Sequence, residues 1–393
     1  MPQLAFVNEH HFMNKKYTGK QVIKAGEMFL DDNIERFEEK FELAMDILSY
    51  WRFSHETPLG EAFKILQVTT LKIDNSAIFA KRLKRYASIV YKLRRFRQMK
   101  LKNMQDIGGC RAIISSPKLL TKVMRELRKR PEFKNAQGKI RFKNYIEEPK
   151  EDGYRGYHLI GQFKDEYGEK KDIEVQLRTN LQHDWATALE IVDLFTGQAL
   201  KSNQGYKDWK KFFSGVSKQF ALMENDVPGF HKLDLQNKYN KYLNKLSENK
   251  AALQSCKDTQ QFSRLLDVVN VFNAFAHSLK IVDGELEKKS EDGYVLIEVD
   301  TAKSTVRTNF FKQEKNKEAE EMYIEAEKQS AEKSNIVVAL VSSAAVGGIK
   351  AVYPNYFADS TEFLKHLHLV TSVPFQKDKN IFSILFRQIA KGI

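Results

Sequence analysis

The sequence has little cysteine and lacks a long apolar run. Its only two cysteines, Cys110 and Cys256, lie far apart among 393 residues. Two isolated cysteines exclude the disulfide framework of a small secreted protein and a cysteine-based zinc site, and they are typical of a reducing cytosol. The longest apolar run, residues 336–349, is interrupted by Ser and Gly and is shorter than the roughly 20 residues of a membrane-spanning helix. No secretion signal opens the sequence, so we expect a cytoplasmic protein without a membrane partner.

Acidic residues are missing from positions 81–102, a segment that contains ten Lys and Arg residues. The whole chain has a formal net charge of +13. On the helix predicted for this segment, Lys81, Arg85, Ser88 and Lys92 share one face. A basic run is usually a solvated face, but here no acids relieve the repulsion between the cations. The pattern therefore predicts a phosphate-bearing ligand or a nucleic acid as partner.

The spacing of apolar residues predicts an α/β (α+β) chain with three domains. In the first, 1–200, the spacing predicts helices at 34–51, 59–67, 77–96, 119–129 and 181–194, and strands at 110–115, 140–146, 157–163 and 172–178. A helical connecting region follows at 201–285. The last domain, 286–393, is a small α/β unit with predicted strands at 294–299, 305–311 and 335–341 and helices at 314–333 and 343–352.

The most informative segment is 172–179, where apolar and polar residues alternate strictly. Such alternation predicts a strand with one face in a core, and the other face then presents Glu174, Gln176 and Arg178 in a row. A carboxylate, an amide and a guanidinium on one rigid strand are typical of the floor of an active site. The alternative is an ordinary solvated strand face.

A second candidate is Asp106, which opens the sequence Asp-Ile-Gly-Gly-Cys-Arg in a very basic neighbourhood. Basic surroundings keep a carboxyl ionised, which suits a ligand of Mg²⁺. Glu174 is a candidate for the second carboxylate, since Mg²⁺ uses one or two carboxylates together with phosphate oxygens of a substrate. The alternative is a salt bridge from Asp106 to Arg111 or Lys102.

A third candidate is the loop that leads from Asn144 to His158 and contains Pro and Gly. Tyr154 offers a flat ring for stacking on a base, and Lys150 offers a cation for a phosphate. His158 either binds a substrate or is an ordinary, internally hydrogen-bonded histidine.

Taken in order, these motifs resemble the synthetase domain of RelA/SpoT-type alarmone synthetases over residues 30–200. The resemblance implies a nucleotidyltransferase-like mixed β-sheet flanked by helices, and an enzyme that transfers the β,γ-pyrophosphate of ATP to a ribose 3′-hydroxyl. It also implies Mg²⁺ held by Asp106 and Glu174, the two expected catalytic residues. The residues expected to bind ATP are Arg82, Lys84, Ser88, Lys92 and Arg111. Those expected to bind the acceptor are Lys150, Tyr154, His158, Gln176 and Arg178.

Two departures from the family pattern lie in the acceptor loop. Asp152 replaces the usual Asn before Gly-Tyr, and Gly156 replaces a usual Ser. Both put a guanine nucleotide in doubt as the acceptor and leave the ATP-binding half intact. A separate hydrolase domain is not expected, and His183-Asp184 belongs to the synthetase motif Gln-His-x-Trp-Ala.

The sequence Tyr353-Pro-Asn-Tyr356 follows a predicted strand and helix, and its Pro favours a turn. In this position it resembles the CapRel family of fused toxin–antitoxin proteins of phage defence. That resemblance implies a C-terminal pseudo-zinc-finger-like domain that covers the nucleotide site until a phage protein engages it. Tyr353 and Tyr356 are then expected to help block the ATP site between Arg82 and Arg111. The alternative is a helix-ending turn with two core tyrosines.

Three classes of function follow. The first, which the CapRel resemblance favours, is a self-inhibited toxin that pyrophosphorylates the 3′-CCA end of tRNA and blocks translation. The basic segment 118–143 supports tRNA as the partner, whereas DNA is not expected. The second is a (p)ppGpp or (p)ppApp alarmone synthetase with a regulatory tail. The third is a non-catalytic nucleic-acid-binding protein.

Overall fold

The computed structural model describes residues 16–31, 34, 37–196, 207–270, 272, 293–300, 305–331, 336–342 and 360–375. The chain divides into two compact units. The first is drawn from the ranges Met1–Asn144, Gly156–Arg178 and Val282–Phe357. The second is drawn from Tyr145–Arg155, Thr179–Ile281 and Ala358–Ile393.

The first unit contains a sheet with helices around it. Its helices are α1 (Gly19–Met28), α2 (Glu38–Phe53), α3 (Glu56–Leu71), α4 (Tyr86–Arg95) and α5 (Pro117–Lys129). Its strands are β1 (Ile78–Leu83), β2 (Gly108–Ile114), β3 (Arg141–Asn144), β4 (Tyr157–Lys164) and β5 (Lys170–Thr179). Among the described residues these strands form one sheet in the order β1-β2-β5-β4-β3. This mixed sheet with flanking helices confirms the predicted α+β fold.

The pairing of the strands follows from their apolar faces. β1 is antiparallel to β2, and β4 is antiparallel to both β3 and β5. Ile173, Val175 and Leu177 on β5 have no exposed surface, so the face opposite to the polar row lies in the core. Central strands β2 and β5 are neighbours, which brings the two sequence motifs on them to the middle of the sheet.

The prediction of one helix over 77–96 is wrong. Ile78–Leu83 is a strand, and the helix begins only at Tyr86. Phe79 and Ala80 are buried by pairing with β2, and this pairing outweighs the helical spacing of the later apolar residues. Lys81 therefore lies on a strand and does not share a helix face with Lys92.

A second sheet in the first unit contains β6 (Gly293–Asp300), β7 (Thr305–Lys312) and β8 (Ile336–Ser342), with helix α10 (Asn316–Ala331) between β7 and β8. Its described strands are antiparallel in the order β7-β6-β8. Leu296, Phe311, Ala319, Tyr323 and Val338 form its core. The strands and the helix confirm the elements predicted for residues 294–341. The predicted helix 343–352, together with Tyr353 and Tyr356, lies outside the described residues.

The second unit is helical. It contains α6 (Asn180–Thr196), α7 (Lys207–Asp226), α8 (Leu235–Glu248), α9 (Lys250–Leu265) and α11 (Thr361–Thr371). An aromatic core that includes Trp185, Trp209, Phe213 and Phe363 holds these helices together. Helix α11 thus belongs to the helical unit, while β6–β8 belong to the first unit. The predicted domain limits at 200 and 285 stay predictions. Every helix in the described part of the chain is too short or too polar to cross a membrane.

Candidate active site

The polar face of β5 forms a hydrogen-bonded row. Nδ1 of His158 and Oε1 of Glu174 lie 2.9 Å apart, and Gln176 donates from Nε2 to the other carboxylate oxygen at 2.6 Å. Arg178 donates from Nη2 to Oε1 of Gln176 at 3.2 Å. His158 on β4 is the register partner of Gln176, which makes it a diagonal neighbour of Glu174. The structure therefore brings together four of the side chains that the sequence singled out.

This environment keeps Glu174 ionised. Burial alone would raise the pKa of the carboxyl, but His158, Gln176 and Lys84 outweigh burial and lower the pKa to about 2. A carboxylate with so low a pKa is well suited to hold a cation or to orient a hydroxyl group.

Asp106 lies between two lysines. Lys84 Nζ is 2.9 Å from one carboxylate oxygen and Lys92 Nζ is 2.8 Å from the other. The backbone N–H of Lys84 donates to the carbonyl of Ile107 at 2.7 Å, which fixes the lysine beside the carboxylate. Asp106 thus forms salt bridges to Lys84 and Lys92, which the alternative, with Arg111 or Lys102 as the partner, did not name.

The two carboxylates belong to one electrostatic site. Burial and the charge of Glu174 favour a higher pKa of Asp106, but Lys84 and Lys92 outweigh both. The pKa of Asp106 therefore lies below its usual range. Burial lowers the pKa of the Lys84 ammonium, and Asp106 opposes that shift. Lys84 also helps to lower the pKa of Glu174. Two anions therefore coexist here because two lysines and a histidine lie beside them.

The remaining residues expected to bind ATP lie on the adjacent elements. Arg82 on β1 pairs with Gly109, so it is a diagonal neighbour of Arg111 on the same face of the sheet. Ser88 is the third residue of α4, one turn before Lys92. Arg82 is exposed, whereas Arg111 and Ser88 are partly buried. The spacing of the two arginines on one face is compatible with a flat base between them.

Two of the residues expected to bind the acceptor, Lys150 and Tyr154, belong to the second unit. Nζ of Lys150 lies 4.7 Å from the centre of the Tyr154 ring and 4.8 Å from that of Tyr145. Tyr154 is only 8% exposed, and its ring packs edge-on against Trp185. A cation held over two aromatic rings gives this loop a defined shape. The roles of Lys150 and Tyr154 stay predictions.

Sequence reasoning missed a set of polar residues on α7 and in the loop. Ser217 donates from Oγ to the carbonyl of Gly153, and Arg155 donates from Nε to Oγ of Ser217 at 3.1 Å. Glu224 lies on the same helix, and burial raises its pKa to about 7. An isolated Ser, Arg or Glu carries no pattern, so only the folded chain reveals this set.

The site fits Mg²⁺ as far as two carboxylates allow. In the part of the chain that the structure describes, His, Cys, Asp and Glu form no group of three or more that could hold a metal ion. Two ionised carboxylates are nevertheless sufficient for Mg²⁺, which takes its other ligands from water and from substrate phosphates. Lys84 and Lys92 beside Asp106 are suited to those phosphates.

Comparison with protein families agrees with this site. Residues 81–192 match the region found in RelA/SpoT proteins. The match includes each residue that the sequence assigned to ATP, to the metal or to the acceptor. Residues 81–192 are therefore a region of the RelA/SpoT type, and the chain is a pyrophosphokinase.

Solved structures are also similar to part of the chain. Small alarmone synthetase 1 from Bacillus subtilis, bound to its product pppGpp, is 25% identical over 43% of this chain and 90% of its own, with a TM-score of 0.36. Small alarmone synthetase 2 from the same organism is 21% identical over 46% of this chain and 96% of its own, with a TM-score of 0.39. A GTP pyrophosphokinase family protein from Streptococcus pneumoniae is 20% identical over 49% of this chain and 95% of its own, with a TM-score of 0.37. No curated protein matched the chain.

Proposed function

We propose that this pyrophosphokinase transfers the β,γ-pyrophosphate of ATP to the 3′-hydroxyl of the tRNA 3′-CCA end. We further propose that it is a translation-blocking toxin of anti-phage defence, held inactive by its own residues 286–393 and triggered by a phage protein. The observation that carries the chemistry is the pair of ionised carboxylates, Asp106 and Glu174, between two lysines and a histidine.

The proposed reaction joins the acceptor oxygen to the β-phosphorus of ATP. The bond between the β-phosphorus and the oxygen that bridges to the α-phosphorus breaks, and AMP leaves. Glu174 accepts the hydrogen bond of the attacking hydroxyl and receives its proton late. A pKa of about 2 makes Glu174 a weak base. A weak base suffices because phosphoryl-type transfer has a loose transition state and depends mainly on positioning and charge stabilisation.

Lys84 and Lys92 exchange partners when ATP binds. Both ammonium groups pair with Asp106 in the described structure. In the proposal they turn to the ATP phosphates, which leaves Asp106 and Glu174 to hold Mg²⁺. Bound Mg²⁺ would neutralise charge on the phosphate oxygens. Arg82 and Arg111 would hold the adenine.

A basic face on α5 and the segment after it supports tRNA as the acceptor. Its exposed cations are Lys118, Lys122, Arg125, Lys129, Arg130, Lys134, Lys139 and Lys143. Beside them, Phe142 is 45% exposed, and the Arg128 guanidinium lies 4.8 Å from the centre of its ring. Exposed cations with an accessible aromatic ring are typical of surfaces that bind nucleic acid without reading its sequence.

The alternative acceptor is a free nucleotide, which would make the chain a (p)ppGpp or (p)ppApp synthetase with a regulatory tail. The match to the RelA/SpoT region supports this alternative equally well, because it covers the chemistry that both reactions share. Asp152 and Gly156, which depart from the family pattern, favour tRNA over a guanine nucleotide.

Contacts inside the first unit support regulation by the C-terminal part. Arg52 on α2 is 2% exposed and donates from Nη2 to Oη of Tyr323 on α10 at 2.7 Å. Lys328 on α10 lies 2.7 Å from Glu42 on α2. The C-terminal sheet is therefore held against the N-terminal helices. The proposal adds that Tyr353 and Tyr356 block the ATP site.

The test is a transfer assay with ATP labelled in the γ-phosphate, Mg²⁺, and GDP, GTP, ATP or bulk tRNA as acceptor. The full-length chain is compared with full-length Tyr353→Ala/Tyr356→Ala, and Glu174→Gln is the blank. Full-length variants are preferable to a truncation, since a truncation removes helix α11 from the core of the second unit. Label on tRNA that increases in the double variant supports the proposal. Label on a free nucleotide supports the alternative, and transfer that the double variant leaves unchanged contradicts self-inhibition by the tyrosines.

A further inference from the structure

The loop that carries Lys150 and Tyr154 is fixed by a helix outside the RelA/SpoT region. That region ends at residue 192, whereas helix α7 begins at Lys207. Ser217 in the middle of α7 donates to the carbonyl of Gly153, the residue directly before Tyr154. Arg155, directly after Tyr154, donates to Oγ of Ser217 at 3.1 Å. The two neighbours of Tyr154 are thus both tied to one hydroxyl group.

The approach between the loop and α7 is close enough to require glycine. The backbone φ of Gly153 is +95°, in the left-handed region that residues other than glycine rarely adopt. A Cβ at this position would lie 2.9 Å from Cβ of Ser217 and 3.0 Å from Cα of Ser214. Because both neighbours belong to the helix, a larger residue would push the loop away from α7.

Further bonds shape the loop from inside. Arg155 donates from Nη1 to the carbonyl of Ile146 at 2.9 Å, which closes the loop across its base. The buried carboxylate of Asp152 accepts from the backbone N–H of Tyr154 at 2.8 Å. Asp152 is one of the two departures from the family pattern, and it here fixes the backbone of the residue expected to stack on the acceptor.

Glu224 adds a further set of contacts from the same helix within the second unit. Its buried carboxyl group is hydrogen-bonded by Thr179 and Gln182 and lies in the field of the Arg155 guanidinium. Thr179 is the last residue of β5. A small cavity is lined by Gly153, Arg155, Gln182, Ser217 and Glu224, among others. Helix α7 therefore contacts both the acceptor loop and Thr179 within the second unit.

We propose that Ser217, Arg155 and Glu224 are positioning residues for the acceptor. Through them α7 holds Lys150 and Tyr154 in the arrangement that receives the terminal nucleotide of the acceptor, and it leaves ATP binding untouched. This inference rests on the proposed function, and it adds that a helix beyond the RelA/SpoT region sets acceptor affinity. The site takes a nucleotide that presents a base for stacking and a phosphate for Lys150.

The test uses the full-length chain with Ser217→Ala, which removes both the hydrogen bond that Oγ donates to Gly153 and the one that it accepts from Arg155. The matched control is Ser263→Ala, a buried serine on α9 in the same unit. KM for the acceptor is expected to rise about 5- to 10-fold in Ser217→Ala, the effect of one or two lost hydrogen bonds. KM for ATP and the thermal midpoint of the control are expected to stay unchanged. Equal increases in both KM values, or no increase in either, would overturn the proposal.

Arg155→Lys provides a second variant in case Ser217→Ala does not fold. It keeps a positive charge near Glu224 and loses the simultaneous bonds to Ser217 and Ile146. The same selective rise in KM for the acceptor is expected, and an unchanged KM contradicts the positioning role. Acceptor binding measured with a non-cleavable ATP analogue separates this inference from the proposed function. Wild-type protein that binds the acceptor but transfers nothing would refute the function alone, whereas equal acceptor affinity in wild type and variants would refute the positioning role alone.

Discussion

At the scale of single residues, the environment of Glu174 decides what the site can do. His158, Gln176 and Lys84 together overcome the burial of the carboxyl and keep it ionised at any physiological pH. The hydrogen bonds from His158 and Gln176 also fix its orientation. A fixed anion that needs no reorganisation during the reaction is the main contribution that a side chain can make to this type of transfer.

Replacing Glu174 by Gln tests this role. The amide keeps the size of the side chain and loses the charge, so pyrophosphate transfer is expected to fall by about 10²- to 10³-fold. The thermal midpoint should also fall at neutral pH, because a pKa of about 2 means that the folded chain is stabilised by the ionised carboxylate, which Gln lacks. Initial rates with labelled ATP measure the effect, with circular dichroism as the control for folding. A variant that keeps more than a tenth of the wild-type rate would show that the charge of Glu174 is dispensable.

Glu224 gives a prediction about pH. Burial raises its pKa to about 7 in the folded chain, above the value of about 4.3 in an unfolded chain. Because the pKa is higher in the folded chain, the contribution of Glu224 to stability is fully present below the pKa of the unfolded chain. This contribution is lost as the pH rises from about 4.3 to about 7. Between pH 5 and pH 8 the free energy of unfolding of Glu224→Gln is therefore expected to exceed that of wild type by about 1 to 3 kcal/mol. Urea unfolding at several pH values measures the difference, and a difference that is independent of pH contradicts the assignment.

At the scale of elements, the sequence reveals those features that depend on neighbours in the chain. The alternation at 172–179 correctly predicted β5 and the row of Glu174, Gln176 and Arg178, because period two is a property of the strand itself. The helix predicted over 77–96 failed at its start, because the pairing of β1 with a strand some 30 residues away decides its conformation. The same pairing places Lys84 beside Asp106, a contact across 22 residues that spacing alone does not reveal.

The contact between helices α2 and α10 gives a prediction at this scale. Tyr323→Phe removes the hydrogen bond to the buried Arg52 guanidinium, which is expected to weaken the contact by about 1 to 3 kcal/mol. If the C-terminal sheet restrains the synthetase domain, basal transfer by the full-length variant should rise several-fold. Met322→Ala is the matched control, since Met322 is the exposed neighbour on the same helix. If Tyr323→Phe folds and keeps the basal rate of wild type, this contact does not contribute to regulation.

At the scale of the whole molecule, the net charge of +13 and the basic face on α5 make the reaction sensitive to salt when the acceptor is a polyanion. Each phosphate contact contributes close to one unit to the slope of log affinity against log salt. A nucleotide acceptor makes far fewer contacts, so its slope should be small.

Neutralising the basic face tests which acceptor it serves. Lys122→Gln/Arg125→Gln/Lys129→Gln is expected to weaken binding of tRNA and to reduce the slope of log affinity against log salt by about 1 for each lost phosphate contact. Binding of GDP or ATP should not change. Fluorescence anisotropy from about 50 to 200 mM salt measures both slopes. If the slope of log affinity against log salt stays the same in the triple variant, tRNA binds to another surface of the protein.

The measurement that most directly tests the proposed activity is the fate of label from γ-labelled ATP in the presence of tRNA. The full-length Tyr353→Ala/Tyr356→Ala protein is incubated with intact tRNA and with tRNA whose 3′-terminal ribose has been oxidised by periodate. Label is expected on the intact 3′ end, together with one AMP for each label transferred, and none is expected on the oxidised tRNA or with an added Glu174→Gln substitution. Label on both tRNAs, or on a free nucleotide while intact tRNA stays unlabelled, would contradict transfer to the 3′-hydroxyl of tRNA.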